Sequence, residues 1–491
     1  MRNFIKFLLF VCIVSAPGRV FAYTEIVGLL VDDGINSLSR GGMERLPEGR
    51  DHLDFQSPLF LDSKGKYRLD TAYENQRTIR IYNGSWAGSH AYAEHLESAI
   101  AAPFSLWDGN VSGNVAAGYG YRSFDVKAAS VKDDVFVASD EKFNAVKGGL
   151  FLKLNDKASL GLSVVDTDYR SAPEIPLTLE ISPLESVKVG YKRSYVDVAG
   201  DFTVRLSGND GTVPIHYQEN VDELYVSWHY NDIFYAKYAN ELKHPDNRHF
   251  TAKLALPASL YLVGDYVRHY TDFNQDFFVA ANPGGYLKGT TAWQQYRIGL
   301  GAQLGDHWTV EANYRRGDLA ANGGGIANSS SVVSFWPSLV VGNYNHTFNA
   351  ELKSEQYHLG TEYQGEHFSM GLGCQYLDIR PVAQLDYWRS LLFGLGKTGA
   401  GSLKLTTDRI QMLFFSIGLG YRWEHLSVGY AFGQFIPIAT HDANEKPVQG
   451  STTTTASGSS GGGTDIFSSI ANKINYNPGG NIQRVMLTVT F

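Results

Sequence analysis

The sequence has little of what would stabilise a disulfide-linked domain or build a helical membrane protein. It contains two cysteines, Cys12 and Cys374. No run of about 18 apolar residues, the least expected of a membrane-spanning helix, follows residue 22. One thiol beyond residue 22 cannot form an internal disulfide. These absences exclude a disulfide framework and a bundle of membrane helices.

An excess of basic charge is also absent, since the formal net charge is −8. Nucleic-acid-binding domains carry a basic face, so we expect no nucleic-acid partner. Histidines occur singly, and His90 and His95 would face opposite sides of a strand. This arrangement does not fit a zinc site. We find no catalytic constellation and expect neither an enzyme nor a bound metal or cofactor.

Residues 1–22 have the pattern of a secretory signal peptide. Arg2 and Lys6 form a basic start, residues 7–16 are apolar, and residues 20–22 resemble a cleavage site. Cleavage would remove Arg2, Lys6 and Arg19 but no acidic residue, and would change the net charge from −8 to −11. The sequence therefore predicts an exported protein that begins at Tyr23.

From about Thr78 onward, the chain consists of alternating apolar and polar stretches separated by short turns. This period of two is typical of β-strands. The turns contain the Gly, Asn, Asp and Ser residues that antiparallel connections favour. We place short turns at residues 108–110, 155–157, 184–186, 231–232, 257–258, 305–307, 365–366 and 424.

The final strand gives the most specific signal. In residues 482–491, Val485, Leu487, Val489 and Phe491 form one face, and Gln483 interrupts it at its far end. The other face holds Arg484, Met486, Thr488 and Thr490. This stretch resembles the closing strand of a Gram-negative outer-membrane β-barrel. The resemblance implies that Phe491 is the aromatic residue read by the assembly machinery.

Eight short turns, with a lone first and a lone last strand, predict an all-β, transmembrane antiparallel barrel of 18 strands, with 16 as the alternative. Residues 199–222 leave the count open between two further strands and a hairpin. Strands of about 9–12 residues, short periplasmic turns and long extracellular loops are expected. The predicted organisation is a signal peptide (1–22), a periplasmic arm or plug (23–75) and the barrel (76–491).

Tryptophans near the turns predict one aromatic girdle at the membrane surface. They are Trp107, Trp228, Trp308 and Trp423.

The polar face of the strands is predicted to line a pore. We count 12 basic residues there against five acidic ones, Glu180, Glu241, Asp265, Glu311 and Glu362, in a protein that is acidic as a whole. The leading pore-lining candidates are Arg122, Lys147, Lys188, Lys237, Arg297, Arg315, Arg409, Arg422 and Arg484. Such a wall would favour anions, unless the cations pair with acids on neighbouring strands.

Three long loops are expected at residues 319–353, 380–406 and 437–481. The third contains a Ser/Thr/Gly tract at 450–464 and a short helix at 465–474. Apolar patches in these loops would fold inward or bind a partner.

An 18-strand barrel is wide enough for an aqueous channel. The first hypothesis is a porin-like channel in the Gram-negative outer membrane, in contact with its lipid bilayer, that passes small hydrophilic solutes and favours anions. The second is a barrel scaffold that holds a protein partner, such as a surface lipoprotein or a cytochrome. The third is a hydrophobic-solute transporter with residues 23–75 as its plug.

Overall fold

The structure is a computed structural model. It describes residues 53–80, 90–130, 135–154, 157–170, 172–206, 209–231, 233–279, 282–327, 340–391, 396–406, 410–438 and 479–491. The predicted signal peptide, the tract at 450–464 and the predicted helix at 465–474 lie outside these residues.

The described residues form 19 strand segments in one sheet. They are β1 (Arg68–Arg80), β2 (His90–Leu106), β3 (Val111–Ser130), β4 (Val135–Leu154), β5 (Ala158–Thr167), β6 (Leu177–Leu184), β7 (Val187–Leu206), β8 (Asn209–Tyr230), β9 (Phe234–Glu241), β10 (Arg248–Leu256), β11 (Leu260–Val279), β12 (Asn282–Leu304), β13 (Trp308–Ala327), β14 (Val340–Gln364), β15 (Phe368–Leu391), β16 (Gly396–Thr406), β17 (Ile410–Arg422), β18 (Leu426–Pro437) and β19 (Gly479–Thr490).

The sheet closes on itself as an antiparallel barrel. Each strand pairs with its sequence neighbours, and β1 pairs with both β2 and β19. β16 and β17 pair with successive parts of β15, so together they form one strand of the wall. The barrel therefore has 18 strands, which confirms the prediction and excludes the alternative of 16.

Six of the eight predicted short turns lie wholly within the described residues, and they connect consecutive strands at one end of the barrel, the turn end. Residues 155, 156 and 232, in the other two, lie outside the described residues. Trp107–Gly109 forms a short 3₁₀ turn between β2 and β3, and Gly305 takes a positive φ of 65° between β12 and β13. The first and last strands meet at the same end, where Phe491 N donates to Tyr67 O at 2.9 Å. Turn chemistry and strand pairing agree at each of the described turns.

The strands are longer than expected, and this corrects two of the predicted loops. β14 has 25 residues and β15 has 24, so much of 319–353 and nearly all of 380–406 is strand. The doubtful stretch 199–222 is likewise the far part of the β7–β8 hairpin. Extending a hairpin beyond the membrane keeps its backbone N–H and C=O groups hydrogen-bonded. Side-chain alternation does not show how far this backbone pairing continues.

The barrel begins at Arg68, eight residues before the expected boundary at residue 76. The preceding residues 53–67, called the N-terminal segment here, contain the 3₁₀ turn Pro58–Leu61. Asp70 and Glu74 face inward, and the outward face of β1 mixes Leu69 and Tyr73 with the polar residues Thr71 and Asn75. That is why β1 looks unlike a strand in the sequence.

The outer face carries an apolar belt. Its members are exposed and alternate with inward residues, for example Val115, Val164, Leu179, Val226, Leu262, Leu300, Leu359, Leu372, Ile417 and Val485. Contiguous apolar surface of this extent does not stay in water. A closed barrel with an even strand number and an outward apolar belt is a transmembrane barrel of the outer-membrane type.

Aromatic residues border the belt on both sides. On the side away from the turns, the outward positions hold Tyr73, Tyr119, Tyr191, Tyr238, Tyr266, Tyr296, Tyr314, Tyr357, Tyr376 and Tyr430. We call this row the tyrosine ring. It fits the second interface of a membrane-spanning barrel. No helix in the described part of the chain is long and apolar enough to cross a membrane.

Candidate functional site: the inner wall of the barrel

The N-terminal segment identifies the inward face of each strand. Phe55 and Leu61 are 1% and 0% exposed, and they pack with Ala99, Ala116 and Phe151 in one apolar cluster. Residues in register across antiparallel strands share a face. The inward positions can therefore be followed from these wall residues around the barrel.

Polar contacts fasten the N-terminal segment inside the barrel. The backbone N–H of Leu53 donates to Asp70 Oδ2 at 2.7 Å, and Gln56 Nε2 donates to Glu174 Oε2 at 2.9 Å. Glu174 also pairs with Arg170. The described part of the expected arm or plug thus lies within the turn-end half of the barrel.

Most of the predicted pore-lining residues can be located. Those at inward positions are Arg122, Lys147, Lys188, Lys237, Arg297, Arg315, Arg422 and Arg484. Arg409 lies outside the described residues. Whether these side chains act on a passing solute stays a prediction.

Arg484 forms an ion pair at the seam where the barrel closes. Its Nε lies 2.6 Å from Glu74 Oε2, and Gln76 Nε2 donates to the other carboxylate oxygen. Arg484 belongs to the last strand and Glu74 to the first. The pair therefore joins the two ends of the sheet on the inner face.

Lys147 forms a second ion pair on the neighbouring strands. Lys147 Nζ contacts Glu97 and lies 5.8 Å from the centre of the Phe55 ring. His95 Nε2 is 3.8 Å from the same carboxylate, and Arg122 lies opposite His95 in register. This group of charges borders the apolar packing of the N-terminal segment.

Arg297 and Arg315 lie directly opposite each other on β12 and β13, and each is 4% exposed. Asp265 is the register partner of Arg297 on its other side. It accepts from Thr251 Oγ1 at 2.8 Å and lies 2.8 Å from His249 Nε2. The Asp265 carboxylate next to Arg297 offsets part of the repulsion that Arg297 and Arg315 exert on each other.

A second carboxylate on this wall is buried. Glu311, 6% exposed, accepts from Tyr261 Oη at 3.0 Å and from Asn313 Nδ2 at 3.3 Å. Lys253 Nζ lies 4.8 Å from the centre of the Tyr261 ring. We call the inner faces of β10–β13 the arginine sector, after Arg297 and Arg315. Wall side chains in this sector bind one another across strands.

Lys188 and Lys237 line a third polar group. Lys188 Nζ is 3.0 Å from Glu180 Oε1, and Tyr225 Oη donates to the second oxygen at 3.0 Å. Lys237 Nζ lies 4.5 Å from the centre of the Tyr225 ring. Both lysines therefore have a partner on an adjacent strand.

The inner wall also contains an apolar sector, made of Leu377, Met412, Phe414, Ala431, Phe435 and Ile482. The rings of Phe414 and Phe435 are 4.5 Å apart. Gln356 on β14 is the register partner of Arg315 on one side and of Leu377 on the other. Polar and apolar sectors of the wall are thus adjacent.

Exposure separates the inward arginines into two classes. Arg297 and Arg315 are buried, whereas Arg122 and Arg422 are exposed. Neither Arg122 nor Arg422 forms an ion pair with any residue that the structure describes. Their charge is therefore open to solvent, and the charge of the buried pair is not.

The predicted girdle residues lie near the turns. Trp107, Trp228, Trp308 and Trp423 are 74%, 48%, 40% and 50% exposed. Phe491 is 72% exposed at the end of the last strand. These positions suit a membrane interface and an accessible terminus, while both roles stay predictions.

Sequence reasoning missed Phe55, Glu74, His95, Glu97 and the apolar sector. A weak signal was available for Glu97, which lies between Leu96 and Ser98. Within the described residues, no group of three or more His, Cys, Asp or Glu side chains could hold a metal ion.

No protein-family model and no curated protein matches the chain. Solved structures of similar outline include Pseudomonas aeruginosa OccK5, at 10% identity and a TM-score of 0.38, covering 87% of this chain and 97% of that one. Acinetobacter baumannii OccAB3 has 12% identity and a TM-score of 0.37, covering 87% and 98%. The CymD monoaromatic hydrocarbon channel has 10% identity and a TM-score of 0.36, covering 94% and 98%.

Proposed function

We propose that the chain is a porin-like channel that passes small hydrophilic solutes by diffusion and favours anions. The observation that carries the proposal is the pair of exposed inward arginines, Arg122 and Arg422, in an 18-strand barrel. Barrels with about 16–18 strands leave an aqueous channel, whereas eight strands fill with side chains.

The anion preference rests on the charges that solvent can reach. Lys147, Lys188 and Arg484 have carboxylate partners, which reduces their effect on a passing ion. Charges within about 8 Å of an ion act on it at physiological salt. Arg122 and Arg422 are therefore the residues that set the sign of selectivity in this proposal.

The test is single-channel recording in planar bilayers with a KCl gradient. The parent should conduct, with a reversal potential on the anion side. The Arg122→Gln/Arg422→Gln variant should shift the reversal potential toward cation preference. The Arg297→Gln/Arg315→Gln variant should shift it less, because those side chains are buried.

Arg193→Gln is the matched control, since Arg193 lies on the outer face and pairs with Asp222 at 2.8 Å. It should leave the reversal potential unchanged. A folded parent barrel without conductance would overturn the channel proposal. A conducting barrel whose reversal potential is the same in the parent and in Arg122→Gln/Arg422→Gln would overturn the anion preference.

The inward apolar sector favours one alternative, transport of hydrophobic solutes. Its members are only 0–6% exposed, so a solute could reach them only after a rearrangement. Uptake of a hydrophobic fluorophore into parent but not Phe414→Ala proteoliposomes, without ion conductance, would favour this alternative over the hydrophilic channel.

A further inference from the structure

The outer face of β10 and β11 carries two arginines directly opposite each other. Arg248 and Arg268 are register partners, and both are exposed. Like charges at directly opposite positions destabilise a sheet pair. An anion between the two guanidinium groups would remove this repulsion.

Neither Arg248 nor Arg268 has a close, buried acidic partner among the described residues. Arg248 lies 3.5 Å from Asp246, whose side chain is 69% exposed, and Arg268 forms no ion pair with a described residue. By contrast, outward Arg193 binds Asp222 through Nε and NH2, with the Nε–Oδ1 distance at 2.8 Å. The Arg248–Arg268 pair therefore keeps a net positive charge.

The pair lies at the edge of the apolar belt. The next outward positions toward the turn end are Phe250 and Tyr266, which are also register partners. Tyr266 belongs to the tyrosine ring. Arginines just beyond such a ring lie at the depth of lipid headgroups.

A shallow apolar depression lies farther into the belt. Ala236, Ala252 and Gly264 are in register on three consecutive strands. A Cβ added at Gly264 would meet no atom within 4 Å. Flanking outward leucines on the turn side, Leu254 and Leu262, are 38% and 37% exposed. The depression is thus bordered by larger apolar side chains.

We propose that this outer face binds a phosphorylated membrane lipid. The phosphate lies between Arg248 and Arg268, and an acyl chain lies over Ala252 and Gly264. Guanidinium groups bind phosphate oxygens in bidentate fashion. The site is separate from the inner wall and does not depend on whether the barrel conducts.

A second copy of the chain fits this surface less well. In a two-fold dimer the same patch meets itself, so contact through this face would bring four arginines together. Free phosphate would satisfy the arginines but would leave the depression without an occupant. The combination of charge and apolar shape favours a lipid.

The test uses the folded barrel in detergent, with bis-phosphorylated lipid A as the probe and native mass spectrometry as the readout. The parent should bind lipid A at least about tenfold more tightly than Arg248→Gln/Arg268→Gln, since bonds to charged groups contribute at this level. Dephosphorylated lipid A should bind the parent as weakly as lipid A binds the double variant.

Two matched controls isolate the charge and the shape. Arg193→Gln removes an outward arginine already paired with Asp222, and it should bind as the parent does. Gly264→Leu should weaken binding, whereas Gly148→Leu should not, although a Cβ at Gly148 also meets no atom within 4 Å. Heat-modifiable mobility verifies folding of every variant.

Three results would overturn the proposal. The first is equal lipid A binding by the parent and by Arg248→Gln/Arg268→Gln. The second is full competition by inorganic phosphate at the same concentration as the lipid, which would mean that the acyl depression contributes nothing. The third is a dimer of the parent that Gly264→Leu dissociates, which would identify a second copy as the occupant.

Discussion

The inner faces of β2–β5, called the segment wall here, and the arginine sector differ in side-chain size and in what covers them. Small residues such as Ala99, Ala116 and Gly161 line the segment wall, and Phe55 and Leu61 fill the space above them. Large polar side chains line the arginine sector and bind one another across strands. One wall buries its surface with a separate chain segment, and the other does so with its own side chains.

The difference has a physical consequence. The apolar packing of the segment wall ends if the N-terminal segment leaves, because Ala99, Ala116 and Gly161 are too short to reach one another. The arginine sector has several donors for each carboxylate, so the loss of one contact leaves others. We therefore expect the segment wall to respond to single substitutions much more strongly.

The largest expected effect is from Gly161→Val. A Cβ at Gly161 would lie 2.6 Å from the backbone carbon of Pro58, and the backbone cannot move aside as a flexible side chain could. The N-terminal segment should leave the wall. The probe is Ser63→Cys in a Cys374→Ser background, because Ser63 is only 4% exposed in the parent. Its labelling by a soluble maleimide should become fast in the Gly161→Val variant.

Gly148→Val is the control for this experiment, because it faces outward into open space. It should leave the Ser63→Cys probe protected. Protection of the probe in a folded Gly161→Val barrel would contradict the packing of the N-terminal segment against β5.

Phe55→Ala should have the next largest effect. Removing a buried phenylalanine costs about 3–5 kcal/mol, and about 1.4 kcal/mol corresponds to a tenfold change in an equilibrium constant. The open population of the N-terminal segment should rise about 100-fold or more, with a parallel rise in labelling of Ser63→Cys. Phe368→Ala, on the outer face and 42% exposed, should leave the labelling rate unchanged.

The two walls also differ in how much of them sequence alone could predict. Alternation and turn residues are local signals, so they located the eight turns, the strand number and the inward face of the basic residues. The segment wall is different, because Ala99 and Ala116 look like any small strand residues until Phe55 is placed over them. No local pattern connects residues that lie so far apart in the chain.

The pairing of charges was the second feature that sequence alone could not predict. Sequence placed basic residues on the inner face but could not identify their partners. Arg484 and Glu74 are 410 residues apart and meet only because the barrel closes. Lys147 and Glu97 are 50 residues apart on β4 and β2, with β3 between them, so alternation along one strand does not identify them as partners.

Those pairs give the third prediction, a comparison of Glu97→Gln with Glu180→Gln. Lys147 and Glu97 are 12% and 22% exposed, whereas Lys188 is 52% exposed. Glu97→Gln should lower the free energy of unfolding by about 1.5–3 kcal/mol, because a half-buried ammonium loses its partner. Glu180→Gln should cost less than about 1 kcal/mol, since water can solvate Lys188.

Urea unfolding of both variants in the same lipid vesicles provides the measurement. Equal losses would mean that burial does not distinguish the two pairs. A larger loss for Glu180→Gln would reverse the order that the exposures predict.

The smallest expected effect is from Tyr261→Phe in the arginine sector. The substitution removes the hydroxyl that donates to Glu311 at 3.0 Å, but Asn313 still donates at 3.3 Å. The free energy of unfolding should fall by only about 0.5–1.5 kcal/mol, the usual contribution of one hydrogen bond. If redundancy is the reason, Tyr261→Phe/Asn313→Ala should cost more than the two single substitutions together, because Glu311, 6% exposed, would lose both donors. Additive losses in urea unfolding would mean that each bond acts alone, and the arginine sector would then be no more tolerant than the segment wall.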